Sequence, residues 1–569
     1  MAFSVHQRPA ILDRLGREHF DILVIGGGIT GAGIARDAAL RGLKTALVER
    51  GDFAVGTSSR STKLIHGGLR YLEMGDVGLV FEAVRERQRL LLLAPHLVRP
   101  QSFVLPVLEH SKHGVFALDV GLTLYDMLAS FSGVMRHRAL RKKPLLRMEP
   151  LLNGKGLSGG ARYFDATTDD ARLVMANVRG AVIAGAAMAS RVDWLVPLVE
   201  AGQCVGATVR DLCSGNEIRV AAKVVVSAVG PWTDGVAAVW NRVFPIQAGN
   251  AEPLPPLTPS KGVHVVVPRS RLPLTHAVTM TSDLDGRVVF ALPWPYATVI
   301  GTTDTVYTGP LAEPVCTYAD AAYLVQTANS CLRPVGGDLQ VDDVISSWAG
   351  IRPLVAQQGA SSYKTSREHV ISTDSRGLVT IAGGKLTTFR VMAQQTVDAA
   401  LKLLPEATAA AAKPCETAEL PLPGADRMPS QTRPLDVIAA TLMATHGLDA
   451  ESARHFADRY GSDCESVVAA CGAEPDGMDR VLADLPFRWG ELGWLVREEM
   501  ALNLIDLCVR RTPLYYLTGD RLLAVAADLA RAMVRWCGRS PQDARHLQDE
   551  LVAYVVAHRV QPQAATDAV

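Results

Sequence analysis

The chain has 569 residues, too many for one hydrophobic core, and the usual size of a folding unit predicts roughly three or four units. Its 58 basic and 58 acidic residues balance, which excludes nucleic acid as a general partner and requires any bound anion to be held by a local cluster of charge. The nine cysteines form no C-x-x-C pair and no metal-ligand spacing, so neither a fully paired disulfide framework nor a metal site is expected, and a reducing cytosolic setting fits best.

Met1 to Phe20 carries His6, Arg8, Asp13, Arg14, Arg17, Glu18 and His19, so it lacks the apolar core of a signal peptide and export is not expected. The segment from Asp21 to Glu49 then reads as strand, glycine turn, helix and second strand, closing on an acid. Gly26, Gly28 and Gly31 are placed to keep the turn tight, to let backbone N–H groups approach a pyrophosphate and to let the helix pack on the sheet. Ala35 and Gly42 are expected to keep that helix close. Glu49 ends Thr45-Ala-Leu-Val, where a carboxylate accepts hydrogen bonds from a ribose diol and repels a 2′-phosphate, so FAD or NAD is predicted in preference to NADP.

Leu79 to Leu93 interleaves Glu82, Arg85, Glu86, Arg87 and Arg89 with leucines and valine, the pattern of an exposed amphipathic helix. Val115 to Met135 is apolar apart from Asp119, Asp126 and a few small polar residues. Its spacing favours a buried helix with two satisfied acids over a membrane-facing segment. Lys223 to Trp232 is a buried strand ending in a small-residue turn at Ala228 and Gly230. The proline-rich stretch Ala251 to Pro259 predicts an extended connection. Beyond it, Val263 to Val267, Arg287 to Leu292 and Thr298 to Gly301 suggest an antiparallel second sheet forming a substrate-side wall. The longest charge-free apolar stretch, Val288 to Thr303, is too short to span a bilayer and contains Pro293 and Pro295.

Leu378 to Thr388 is a further strand meeting Gly383 and Gly384, with a helix predicted to start near Leu386. Such a start presents free N–H groups and a positive dipole end, suited to the negative charge that gathers on a flavin when it accepts a hydride; this selects FAD over NAD. Leu404 to Pro434 turns to Ala, Pro, Thr and Glu without apolar periodicity and reads as a linker. Asp436–His446, Glu451–Tyr460, Trp494–Cys508 and Asp520–Trp536 then carry helical spacing and no evident catalytic cluster.

Taken together, VIGGGITGAGIARDAALRGLKTALVER, GTSSRSTKLIHGGLRYLE, DDARLV, AVGPW, SKGVHVVVP, IGTTD, AGIRPL and GGKLTTFR resemble the FAD-dependent glycerol-3-phosphate dehydrogenase family, the aerobic quinone-linked enzyme and its mitochondrial relatives. SARHFADRYGSD and LCVRRTPL extend the likeness into the tail, whereas Tyr163 to Arg172 lacks an aromatic that some members carry before the paired acids. The resemblance implies an α/β fold: an FAD-binding Rossmann-like domain with an inserted mixed-sheet substrate domain, followed by a helical C-terminal domain. In numbers, FAD-binding segments at about 20–110, 155–250 and 340–403 alternate with substrate segments at about 111–154 and 251–339, before the linker at 404–434 and helices at 435–569.

It further implies oxidation of sn-glycerol 3-phosphate to dihydroxyacetone phosphate, with the C2 hydride going to flavin N5 and electrons to membrane quinone. The protein is then expected to be cytoplasmic and peripheral on the inner membrane face; a homodimer stays open. Substrate contacts are carried over to Arg70, Tyr71, Arg352, Arg367, Lys385 and His264, arginine being suited to phosphate by its planar fork. FAD contacts are carried over to Gly26, Gly28, Gly31, Glu49, Thr57, Ser58, Ser59, Lys63, His66, Gly67, Ala228, Gly230, Trp232, Gly384, Lys385, Leu386 and Thr387. Three residues are assigned to the chemistry: His66 as the favoured base, Arg352 as the competing aid to proton loss, and Lys385 as a charge beside flavin and substrate oxyanion; His264 is a second candidate base. An oxidase passing electrons to oxygen, an amine or amino-acid oxidase and a non-catalytic flavin sensor are the rival readings.

Overall fold

The computed structural model describes residues 3–69, 72, 76–109, 111, 114–128, 136–245, 255–355, 368–429 and 433–560. One sheet is built on a parallel centre. β1 (His19–Ile25) lies between β10 (Glu217–Ser227) and β2 (Thr45–Glu49); β18 (Leu378–Gly383) flanks β10 and β7 (Ala187–Ser190) flanks β2, all parallel. The continuous apolar run Phe20 to Ile25, with Asp21 its one polar residue, is buried along its length, as a parallel strand covered on both faces requires. Helices Ile29–Leu40, Asp170–Ile183 and Phe389–Leu401 supply one cover, the first packing on both others. Antiparallel β17 (His369–Asp374), β8 (Val192–Glu200) and β9 (Gln203–Asp211) complete this sheet.

The second sheet runs β15 (Thr305–Val306), β11 (Leu257–Pro268), β14 (Ala297–Gly301), β13 (Val288–Pro293), β12 (Ala277–Thr281), β4 (Val98–Leu108), β6 (Leu157–Thr168) and β3 (Leu64–Ile65). β16 (Ser346–Val355) adds to β11 and β5 (Arg138–Arg141) to β6. Every pairing is antiparallel except β12 with β4. The predicted strands at 263–267, 287–292 and 298–301 lie here, but so do β3, β4, β6 and β16, which sequence boundaries had put in FAD-binding segments. Long-range pairing, which no local pattern records, decides sheet membership.

Four local expectations change. Helix Val77–Leu93 is only partly exposed: Glu86 and Arg87 are buried, Glu86 held by Arg390 and Arg89, Arg87 by Asp165 and Tyr125. Residues 404–429 pack against helix Ile29–Leu40 and the end of helix Val77–Leu93. Lys413 N–H donates to the Arg41 carbonyl, Leu422 N–H to that of Leu93, and Arg36 donates to the Leu420 and Pro421 carbonyls. The predicted helix Trp494–Cys508 breaks, because Trp489–Glu499 ends on left-handed Met500 and a π-helical turn follows at Asp506–Arg511. Gly42 packs against nothing: a side chain there would meet open space, and its φ of 85° serves a left-handed turn after the helix.

The tail helices Pro434–His446, Ala450–Tyr460, Cys464–Gly472, Trp489–Glu499, Ala526–Cys537 and Asp543–Ala557 share one core. A buried ion cluster joins this tail to the first sheet: Arg511 grips both Asp52 oxygens at 2.7 and 2.9 Å, Arg510 adds 2.6 Å, and Asp506 ties Arg510 to Arg191. Burial alone would raise the Asp52 carboxyl, but the two guanidinium groups hold it well below the usual range. No helix is long and apolar enough to cross a membrane, and no group of His, Cys, Asp or Glu is arranged to hold a metal among the described residues.

Candidate active site

The two sheets enclose a cavity of about 1930 Å³. Its first half is backbone. β1 is followed by Gly26, whose φ of 104° turns the chain into Gly28, the N-cap of helix Ile29–Leu40. A Cβ on Gly26 would lie 2.6 Å from the Ala228 carbonyl oxygen, and one on Gly31 only 1.9 Å from that of Gly26, so both sites demand glycine. Gly31 therefore lies behind the cavity wall and closes the turn, while Gly26 and Gly28 line it. Ser58 Oγ accepts from the Ile29 N–H at 2.9 Å. Glu49, at the mouth of β2, accepts the N–H groups of Gly27 and Gly51, each at 2.6 Å; burial raises its pKa, which these bonds oppose. Arg50 stacks 5.2 Å over Trp232, and Ala228, Gly230, Trp232 and Thr57 line the same half.

The opposite end of this half is the turn after β18. Gly383 and Gly384 take φ of 76° and 90°, Lys385 caps the 3₁₀ turn Leu386–Thr388, and helix Phe389–Leu401 follows. Thr387 Oγ1 accepts the His66 N–H at 3.1 Å and lies 3.2 Å from the His66 carbonyl, which fastens the His66 loop to the Lys385 turn. Gly384, Lys385, Leu386, Thr387 and His66 all line the cavity.

The second half is made of side chains from the second sheet. Arg352 on β16 sits opposite Ser260 of β11 and donates to Thr302 Oγ1 at 2.9 Å and the Thr303 carbonyl at 3.1 Å, with Asp304 at 3.2 Å. Gly262 makes room for it, since a Cβ there would be 2.4 Å from Nη2. His264 lies in register with Trp348 and stacks on it with centroids 4.9 Å apart, its Nε2 2.9 Å from Thr62 Oγ1. Burial, with Arg352 and Lys63 nearby, pushes the His264 pKa well below its ordinary value, so this ring is neutral and a weak proton acceptor. Phe103, Tyr163, Thr279 and Phe290 complete this wall, Tyr163 Oη lying 3.1 Å from Thr279 Oγ1.

Besides Gly31, three more expected cofactor contacts lie behind the wall. Lys63 is buried against Asp170 at 2.5 Å and the Ser59 carbonyl at 3.2 Å, Ser59 is buried beside it, and Gly67 N–H bonds Tyr125 Oη at 2.9 Å. A buried ammonium needs a carboxylate partner, and Asp170 outbids an open cavity. These residues hold the loop that carries Thr57, Ser58 and His66. Arg70, Tyr71 and Arg367 lie outside the described residues. Sequence reasoning missed Thr62, Asp304 and Trp348, which orient His264 and Arg352. Asp304 and Thr62 lie within the quoted IGTTD and GTSSRSTKLIHGGLRYLE stretches without having been assigned a role, and nothing local marks Trp348.

The glycine cradle, the helix N-terminus it caps and the carboxylate at the end of β2 fit a dinucleotide, and the Lys385 turn at the far end fits the electron-rich edge of a flavin. The FAD dependent oxidoreductase family matches residues 21–390, well over half of the chain, which fixes the class as an FAD-dependent oxidoreductase. The C-terminal domain of alpha-glycerophosphate oxidase matches residues 415–544. A glycerol-3-phosphate dehydrogenase of Mycobacterium leprae is 38% identical over 95% of this chain and 89% of its own length. An alpha-glycerophosphate oxidase of Streptococcus pyogenes is 34% identical over 97% of both chains. The crystal structure of the Bacillus halodurans glycerol-3-phosphate dehydrogenase complexed with FAD superposes with a TM-score of 0.79 at 32% identity, covering 99% of this chain and 100% of that one. The chain belongs to the FAD-dependent glycerol-3-phosphate dehydrogenase family, and its cofactor is FAD.

Proposed function

We propose that this protein oxidises sn-glycerol 3-phosphate to dihydroxyacetone phosphate and passes the electrons to a membrane quinone from the inner face of the cytoplasmic membrane. The observation that carries the reading is the continuity of one cavity from the glycine cradle, past Lys385 and His66, to Arg352 and His264. Bound FAD supplies the hydride acceptor. Arg352 presents a planar fork toward a phosphate dianion, aided by Arg70, Tyr71 and Arg367 as the resemblance implies. Lys385, at the cap of a helical turn, stabilises negative charge on the substrate oxygen. His66 takes the C2 hydroxyl proton. His264 suits that task less, because its buried ring resists protonation and its Nε2 is engaged with Thr62; a positioning role against Trp348 suits it better.

An oxidase is the second reading, favoured by the streptococcal relative's name and its coverage of nearly the whole chain. Purified yellow protein should bleach anaerobically on adding glycerol 3-phosphate and much less with glycerol. Mixing the reduced protein with a short-chain quinone should then restore the colour faster than mixing it with oxygen. Bleaching by amino acids instead would overturn the substrate assignment, and faster reoxidation by oxygen would establish the oxidase.

A further inference from the structure

Helix Val115–Leu128, expected from its spacing to be buried, is mostly exposed. Phe116 is 81% exposed and only Leu122 and Tyr125 are buried; residues 129–135 of that apolar stretch lie outside the described residues. Its two acids are partnered as expected, Asp126 lying 2.7 Å from His137 Nδ1 and Asp119 3.2 Å from His137 Nε2. Tyr125 reaches inward. Its ring packs with Val80 and Val84 of helix Val77–Leu93. Its hydroxyl donates to Asp165 Oδ1 at 2.8 Å and accepts from Arg87 Nη1 at 3.1 Å and from the Gly67 N–H at 2.9 Å. A phenol offers one donor and two lone pairs, so its whole capacity is used. Arg87 pairs with Asp165 as well and donates to the Phe164 carbonyl at 3.2 Å, so the partners of the tyrosine are themselves fixed. Burial, with Asp165 beside it, pushes the Tyr125 pKa well above its ordinary value, and the hydroxyl keeps the proton it donates.

The peptide unit between His66 and Gly67 is thereby gripped at both ends. Its N–H goes to Tyr125, with Asp165 Oδ1 a longer 3.3 Å away, and its carbonyl accepts from Thr387 Oγ1 at 3.2 Å. Thr387 Oγ1 also takes the His66 N–H at 3.1 Å. With its own N–H, its carbonyl and the next N–H all fixed, His66 has its φ and ψ set, and with them the direction of its Cα–Cβ bond. A Cβ on Gly67 would strike both the Tyr125 hydroxyl and Val84, so the loop is pressed close against these two helices. His66 and Thr387 line the cavity, whereas Tyr125 and Arg87 stand outside it and touch neither flavin nor substrate. We propose that Tyr125, held by Asp165 and Arg87, is a positioning residue that works with Thr387 to aim the His66 imidazole at the C2 hydroxyl. The proposal rests on the reading of His66 as the proton acceptor given above.

The test is anaerobic stopped-flow reduction of the FAD-loaded protein by glycerol 3-phosphate across pH, for Tyr125→Phe, His66→Gln and the double variant. Tyr125→Phe should stay yellow, keep its affinity for substrate within about twofold and reduce its flavin roughly ten- to a hundredfold more slowly, the cost of a mis-aimed group. Its acid limb should persist at a lower plateau, because the same imidazole still takes the proton, whereas His66→Gln flattens that limb. In the His66→Gln background the tyrosine change should cost less than about twofold, since nothing is left to aim. Thr387→Val should slow reduction as Tyr125→Phe does, and Thr387→Ser, which restores the hydroxyl, should recover most of the rate; this pair decides the matter if Tyr125→Phe does not fold. An undiminished cost of Tyr125→Phe in the His66→Gln background would overturn the proposal, because the tyrosine would then act on the fold and not through the histidine. Wild-type rates in Tyr125→Phe or Thr387→Val beside a slow His66→Gln would overturn it too, and would leave the His66 reading standing. A wild-type rate in His66→Gln would overturn that reading and the positioning role with it.

Discussion

The two halves of the cavity are made of different material. The nucleotide half is backbone: Gly26, Gly28, Gly230, Gly383 and Gly384 present main chain where side chains would intrude, and its geometry follows from turns of a few residues. The substrate half is side chains, and each is held by a partner distant in sequence: Arg352 by Thr302 and Asp304, His264 by Thr62 and Trp348. A backbone cradle tolerates many changes around it but not at Gly26 or Gly31, where a Cβ would strike a carbonyl oxygen. A side-chain pocket can instead lose catalysis while keeping its cofactor.

That difference predicts which property each substitution removes. Gly31→Val has the largest expected effect: its Cβ would enter the Gly26 carbonyl oxygen, and overpacking strain of about 1–3 kcal/mol or more falls on the cradle. The purified variant should be colourless with native helical circular dichroism; a full flavin spectrum would erase the distinction between the halves. Arg352→Gln should stay yellow and lose kcat/KM by roughly ten- to a hundredfold, the equivalent of about 1.5–3 kcal/mol for a charged hydrogen bond. Loss of FAD in that variant would show that the halves are not separable.

Within the substrate half, the roles of the two histidines divide by pH profile. His66→Gln should depress anaerobic flavin reduction most at neutral and alkaline pH and flatten the acid limb of the profile, whereas His264→Gln should mainly raise KM. If His66→Gln reduced flavin normally across pH while Arg352→Lys did not, proton loss would be assigned to the arginine.

The smallest effect concerns acid stability. Burial, with Arg172, Arg179 and Arg99 nearby, lowers His96 to about 3, and burial likewise lowers His264. A histidine that stays neutral when folded but takes a proton when unfolded contributes fully above the unfolded value of about 6.5. Its contribution falls by about 1.36 kcal/mol per pH unit below that value, for His96 down to about pH 3. Urea titrations from pH 7 to 4.5 should therefore show a shallower loss in His96→Asn; an unchanged slope would mean that this ring takes up its proton in the folded state.

Much of the nucleotide half was legible in the sequence because its determinants are local. A strand, three glycines, a helix and Glu49 fall within thirty residues, and Leu378 to Thr388 repeats the same economy. Chain order also disclosed the antiparallel strands around His264 and the helical character of the tail, because hydrophobic period is a property of neighbours along the chain. Tertiary structure alone decided that Lys63 turns inward to Asp170, that Asp304 and Thr302 orient Arg352, and that Arg510 and Arg511 of the tail close on Asp52. It also decided that an apolar helix faces outward. Each of these joins residues that pairing of distant strands or packing of separate units brings together, and burial of charge or of apolar surface is settled only when that packing is complete.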